Sequence, residues 1–187
     1  PKDEDELQHL LYTAVNSGKV MAVRYPRGTG AGVPLSETLR TIPIGKGEIL
    51  REGGDAAILA TGISVQASLA AADILSEKGI AVTVVNARFV KPLDEELILD
   101  TARRVKTIIT VEENTVKGGF GTCVLDLLQE KGVCDVSVRC LGVPDIFVEH
   151  GTQEIIRKKY GLDAGGIADT VTAMLAAADT AVRVTDG

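Results

Sequence analysis

Apolar positions along this chain change their spacing near residue 44, and that change divides it into two regions. Before it, Leu7, Leu10, Leu11, Ala14 and Val15 recur at intervals that place them on one face of a helix. Asp3 with Glu6 forms a capping box at its start, and Asn16, Ser17 and Gly18 end it. The run 19–24 reads as a buried strand whose exit carries Arg24 and Arg27, with Pro26 and Gly28 turning the backbone between and after them. One helix and one strand cannot bury such a face unaided, so further sheet or the main domain has to cover it. Residues 29–43, rich in Gly, Pro and Thr, keep no period, and we place an interdomain linker at 31–43.

From residue 44 the signals become regular. The pattern predicts strands over 45–50 and 56–61, joined by the turn Glu52, Gly53, Gly54 and Asp55. A helix follows from about 64 to 78, terminated by Gly79, then a strand at 81–85 and a helix at 94–103 capped by Asp94. A strand at 106–111, a helix at about 121–130, a valine-rich strand at 136–141 and closing helices at 152–159 and 167–177 complete the series. Strands separated by helices of this length predict an α/β three-layer sandwich around a mixed, mostly parallel sheet. The first two strands are joined too tightly for a crossover helix, so one edge should be antiparallel. The expected organisation is an N-terminal piece at 1–30, the linker, a main domain at 44–178 and a fraying tail at 179–187.

Composition narrows the function classes. Of the 187 residues 45% are hydrophobic and 25% charged, enough to bury a core, and the net charge of -6 argues against nucleic acid or an anionic membrane as main partner. The three cysteines, Cys123, Cys134 and Cys140, form no C-x-x-C pair and have no neighbouring histidines, so neither a disulfide framework nor a zinc site is expected, and a reducing, cytoplasmic compartment fits. No stretch has the apolar length of a membrane span. The first residue is Pro1, which marks either a piece of a longer chain or removal of a start methionine.

In a sheet of this kind ligands lie at the loops leaving the carboxyl ends of parallel strands. Here those loops are 62–64, 86–94, 112–121 and 142–151. The third holds Glu112, Glu113 and Asn114, then Gly118, Gly119, Phe120 and Gly121 at the start of a helix, whose amides can receive an anion or a carboxylate. The glycines follow no G-x-G-x-x-G order, so close packing against a neighbouring domain or subunit is expected instead of nucleotide binding. Glu112 and Glu113 are adjacent on a strand end and point apart, so they make no acid–base pair. Arg88 and Lys91 flank Phe89, Val90, Pro92 and Leu93, a patch suited to an interface. His150 reads as a capping or interface residue, and His9 lies on the polar side of the first helix. Arg24 and Arg27 present planar forks that match phosphate or carboxylate oxygens, with Gly28 letting an anion approach the main chain. Pairing of both to acidic groups at a domain boundary is the competing expectation, and the residues alone do not choose between the two arginines.

RYPRG at 24–28, IGKGEILREG at 44–53, RFVKPLD at 88–94, TVEEN at 110–114, GGFG at 118–121 and LGVPDIFVEHG at 141–151 together resemble the C-terminal third of the 1-deoxy-D-xylulose-5-phosphate synthase family. The resemblance implies a transketolase-like C-terminal domain, preceded at 1–30 by the remnant of a central pyrimidine-binding domain. It implies part of a homodimeric enzyme, dependent on thiamine diphosphate and Mg2+, that condenses pyruvate with D-glyceraldehyde 3-phosphate and releases CO2 in isoprenoid, thiamine and pyridoxal synthesis. It implies that Arg27 contacts the acceptor's phosphate while Arg24 supports the strand end. The diphosphate-binding motif, the glutamate that activates the aminopyrimidine and the substrate histidines have no counterparts here. No catalytic, cofactor-binding or metal residue is therefore expected on this chain, which should bind no cofactor and be inactive alone. A non-catalytic dimerisation or scaffold domain and the C-terminal part of a 2-oxo-acid dehydrogenase beta-type subunit are the other readings, and RYPRG favours the synthase over the latter.

Overall fold

The computed structural model describes residues 1–185, with elements in the order α1 (Glu4–Asn16), β1 (Glu48–Arg51), β2 (Ala56–Ala60), α2 (Ser64–Glu77), β3 (Val82–Asn86), α3 (Glu95–Arg104), β4 (Thr107–Thr115), α4 (Phe120–Glu130), β5 (Ser137–Val143), α5 (Gln153–Lys159) and α6 (Ala164–Thr185). The strands form one sheet in the order β1-β3-β2-β4-β5, with β1 antiparallel to β3 and every other pair parallel. The expected antiparallel edge is present, but its partner is β3, which separates β1 from β2. Every residue of β2 and β3 is buried, which is why these strands read as continuous apolar runs without alternation.

Alternate residues of these strands feed two cores. Ile58, Ala60, Val84 and Ile109 face Val65 and Leu75 of α2 and Ile167 and Val171 of α6. Ala57, Leu59, Val85 and Ile108 face Ile98 of α3 and Phe120, Val124 and Leu128 of α4. The three expected layers follow from that parity, since successive side chains on a strand point to opposite faces. Helix α6 runs to Thr185, past the expected end at 177 and through most of the segment expected to fray. Among the described residues no helix is long and apolar enough to cross a membrane.

The first region departs from its pattern. The run 19–24 is not a strand, and Val20 is fully exposed. A strand needs a neighbour to take its amides and carbonyls, and among the described residues none lies beside this run. Helix α1 forms, with the Asp3 side chain accepting from the Glu6 amide at 2.8 Å, but the carboxylate of Glu6 turns to the Lys2 amide, so the capping box is only half made. The buried side of α1 is Glu6, His9, Leu10 and Thr13, while Leu11 is 44% and Val15 83% exposed. What holds α1 is a row of side chains about one turn apart that accept amides of the segment after it. Asp5 takes the Ser36 amide at 2.6 Å, His9 Nδ1 the Arg40 amide at 3.3 Å and Thr13 the Ile42 amide at 2.7 Å.

Candidate functional site

The 24–28 turn stands over the carboxyl ends of β4 and β5. Arg24, Arg27, Glu113, Val143, Gln153 and Arg157 line a cleft of about 360 Å3 between the turn and α5. Both Arg24 and Arg27 are exposed, and among the described residues no carboxylate pairs with either. Gln153 Nε2 donates to the Arg27 carbonyl at 2.7 Å. Gln153 Oε1 accepts from Arg157 Nη2 at 2.9 Å, and Arg157 Nε and Nη2 donate to Glu113 Oε1 at 2.9 and 2.6 Å. Two guanidinium groups thus have no carboxylate partner among the described residues, and a third, that of Arg157, is paired with Glu113. A larger cleft of about 670 Å3 adjoins Arg24 and is walled by Met21, Val23, Ile44, Phe89 and Pro92.

Strand β4 extends beyond its expected end at 111, and its last residues explain the glycine cluster. Glu112 is fully buried, and its two oxygens accept the amides of Phe120 and Gly121, each at 2.9 Å. The helix N-terminus therefore receives a carboxylate from its own domain. A Cβ on Gly119 would stand 2.3 Å from Glu112 Oε2, and one on Gly121 would stand 2.5 Å from the Thr110 hydroxyl. Close packing accounts for Gly119 and Gly121, and the surface they pack on is that of β4 and β5. Glu113 points the other way, to Arg157.

Residues outside the expected site form a second polar cluster. Arg88 Nε donates to Glu6 Oε1 at 2.7 Å and Nη2 contacts Glu48 Oε2 at 2.5 Å, while Asn86 Nδ2 reaches both carboxylates at 2.8 and 3.2 Å. Burial pushes the Glu6 carboxyl up, but the bonds from Arg88 and Lys2 outweigh it and hold the group below its ordinary value. Arg88 is thus a clamp on α1 and not the charged edge of an open patch, and Phe89 beside it is buried with Leu10 and Ile42. His9 is on the polar side of α1 as expected, yet that side is the buried one. His150 is exposed and stands outside the network that joins Gln153 to Arg27.

Residues 45–167 match the family described as "Transketolase, C-terminal domain". This chain belongs to that family. Outside the family match, the chain is 58% identical over 177 residues to 1-deoxy-D-xylulose-5-phosphate synthase 1 of Geobacter sulfurreducens, covering 95% of this chain and 28% of that protein. It is 52% identical over 176 residues to the 1-deoxy-D-xylulose-5-phosphate synthase of Dehalococcoides mccartyi, covering 94% of this chain and again 28% of the relative. The chain therefore spans less than a third of the length of these relatives. A solved split-gene transketolase, described as an inactive beta4 tetramer, superposes with a TM-score of 0.69 at 38% identity, over 78% of this chain and 47% of that one.

As a transketolase C-terminal domain the chain can be tested for the cofactor that the resemblance implied. Among the described residues no group of three or more His, Cys, Asp or Glu side chains is placed to hold a metal ion. Glu112, the buried carboxylate at the end of β4, uses one bond of each oxygen on an α4 amide. Gln153 and Arg157 had no expected role, and Glu113 was considered only as half of an acid–base pair. The i, i+4 spacing of Gln153 and Arg157 on α5 was the one local signal for them.

Proposed function

We propose that this chain is the C-terminal part of a 1-deoxy-D-xylulose-5-phosphate synthase, in which Arg27 binds the phosphate of D-glyceraldehyde 3-phosphate. The observation that carries the reading is identity to synthases across 95% of the chain, and the unpaired, exposed Arg27 agrees with it. In this reading residues 1–30 close the central pyrimidine-binding domain, 31–43 link it to the domain at 44–178, and 179–187 form its tail. Thiamine diphosphate and Mg2+ are held elsewhere in a cytoplasmic homodimer that condenses the aldehyde with pyruvate and releases CO2.

A guanidinium grips a phosphate through two parallel, charge-assisted bonds. That grip acts at a distance from the reacting carbon, so its free energy orients the aldehyde for attack and leaves pyruvate untouched. Arg24, three residues earlier, supports the exit of the run. In the complete enzyme Arg27→Ala should lower kcat/KM for the aldehyde by about thirty- to a thousand-fold, the equivalent of about 2–4 kcal/mol for a lost charged contact. Lysine should recover part of this, because a point charge does not replace the fork. Steady-state kinetics of Arg27→Ala and Arg24→Ala, with each substrate varied in turn, test the assignment. A strong defect in Arg24→Ala with Arg27→Ala near wild type would transfer the role to Arg24, and two silent variants would overturn it. The 187-residue chain alone, given both substrates and the cofactor, should form no product above a blank without protein.

A further inference from the structure

We propose that Cys140 is an oxidation site, at which a sulfenic acid formed with a hydroperoxide is held by the hydroxyl of Thr110. The two residues are register partners on the adjacent parallel strands β5 and β4, so their side chains leave the same face of the sheet about 4.8 Å apart. Thr110 is fully buried, and among the described residues its hydroxyl has no hydrogen-bond partner. A buried hydroxyl in that state is costly, because the water it gave up has not been replaced. The unfilled place lies beside the sulfur. A Cβ added to Gly121, in the first turn of α4, would meet Thr110 Oγ1 at 2.5 Å and Cys140 Sγ at 2.7 Å, so both atoms border the gap left by that glycine. Glu112, the buried carboxylate at this end of α4, is engaged with the amides of Phe120 and Gly121.

Cys140 is a free, partly exposed cysteine on β5, the edge strand of the sheet. Its sulfur attacks the terminal oxygen of the hydroperoxide. An S–O bond forms as the O–O bond breaks, sulfur is oxidised by two electrons, and the second oxygen takes the thiol proton and leaves as an alcohol or as water. The sulfenic acid so formed carries one oxygen that both donates and accepts. Turned toward Thr110, that oxygen supplies the partner that a thiol, weak in both senses, does not. A sulfenic acid otherwise reacts on, with more peroxide to the sulfinic acid or with a thiol to a disulfide. Cys134, exposed on the surface, is open to both fates. What sets Cys140 apart is therefore retention of the product and not the rate of attack. Every group involved belongs to the sheet or to α4, and none to residues 1–43.

The test exposes the complete enzyme to hydrogen peroxide at one equivalent per thiol, adds a dimedone-type trap after a delay, and maps the trapped sulfenic acid by peptide mass spectrometry. Cys140 should carry at least about three times the label of Cys134, and Thr110→Val should cut the Cys140 label by about three- to tenfold, the scale of one neutral hydrogen bond. Thr110→Ser, which keeps the hydroxyl, should restore it. Because that hydroxyl has no partner in the reduced protein, Thr110→Val should leave the Tm of the reduced enzyme unchanged or raised, which separates loss of the hydroxyl from damage to the fold. An unlabelled Cys140, a label no greater than that of Cys134, or a label indifferent to Thr110→Val would overturn the assignment. So would a disulfide between Cys123 and Cys140 in place of the sulfenic acid, or a lowered Tm in reduced Thr110→Val, which would show the hydroxyl already bonded.

Discussion

Residues 1–43 and residues 44–185 bury different mixtures of side chains. In the second region the apolar faces are inside: both sides of β2 and β3 are covered by helices, and the largest fully buried side chain is Phe120. In the first, α1 buries Glu6, His9 and Thr13 beside a single leucine, Leu10, while Leu11 and Val15 are exposed in this chain. The difference teaches that periodicity identifies the face that gains from burial, whereas the contacts available decide which face is buried. Where helices and strands of one region supply each other's cover, the two coincide. Where the available partner is a segment of exposed amides, as in residues 29–43, polar side chains win because each satisfies a donor.

The sharpest way to break this contrast is to delete matched apolar groups in both regions. Phe120→Ala should destabilise the chain by about 3–5 kcal/mol, as large aromatic truncations in well-packed cores do. Leu11→Ala should stay within about 0.5 kcal/mol, since its side chain has little packing to lose. Urea denaturation of the two variants makes the comparison, and a Leu11 cost near that of Phe120 would show that α1 has an apolar partner in solution.

A smaller effect is expected at the clamp between the regions. Glu6→Ala removes bonds from Arg88, Asn86 and Lys2 and leaves Arg88 facing only Glu48. About 1.5–3 kcal/mol should be lost, the usual scale for hydrogen bonds to a charged group. The loss should be regional: hydrogen exchange should quicken along Glu4–Asn16 and stay slow in β2 and β4. Uniform quickening would mean that the two regions unfold as one unit.

The same carboxylate makes a prediction about acid. Its folded-state pKa lies below the ordinary glutamate value of about 4.3. As pH falls the unfolded chain therefore takes up the proton first, so the contribution of Glu6 is complete above the ordinary value and is lost as pH drops through the lower folded one. The Ser36 amide also holds the Asp5 carboxyl below its usual range, in the same direction. Protection of α1 should thus fall in acid before that of the sheet. Glu6→Gln should abolish most of that step, and an unchanged acid profile in this variant would assign it to other groups. The smallest change belongs to Val20→Ser, within about 0.5 kcal/mol, because the side chain is already in water.

Much of the second region was legible in the sequence. Alternating apolar runs, the Asp94 cap and Gly79 terminator, and the tight connection after the first strand placed the strands, the helices and the antiparallel edge. These signals act over a few residues, where backbone preference and side-chain period are set by the local chain. The strand order was not legible, since β1 beside β3 is a choice among pairings that local pattern does not distinguish. The site divides in the same way. Two arginines around a proline suggested an anion-binding turn, while the lack of a carboxylate beside them among the described residues became visible only in the folded chain.

What the sequence by itself determined about this protein is therefore its α/β sandwich, its family resemblance and the chemistry available at Arg24 and Arg27. Tertiary structure alone decided that the glycine cluster receives Glu112, that Arg88 clamps α1, and that Gln153 holds the Arg27 carbonyl. Each of those outcomes depends on a partner many residues away, and a hydrogen bond or ion pair has no sequence signature until the fold brings donor and acceptor within about 3 Å.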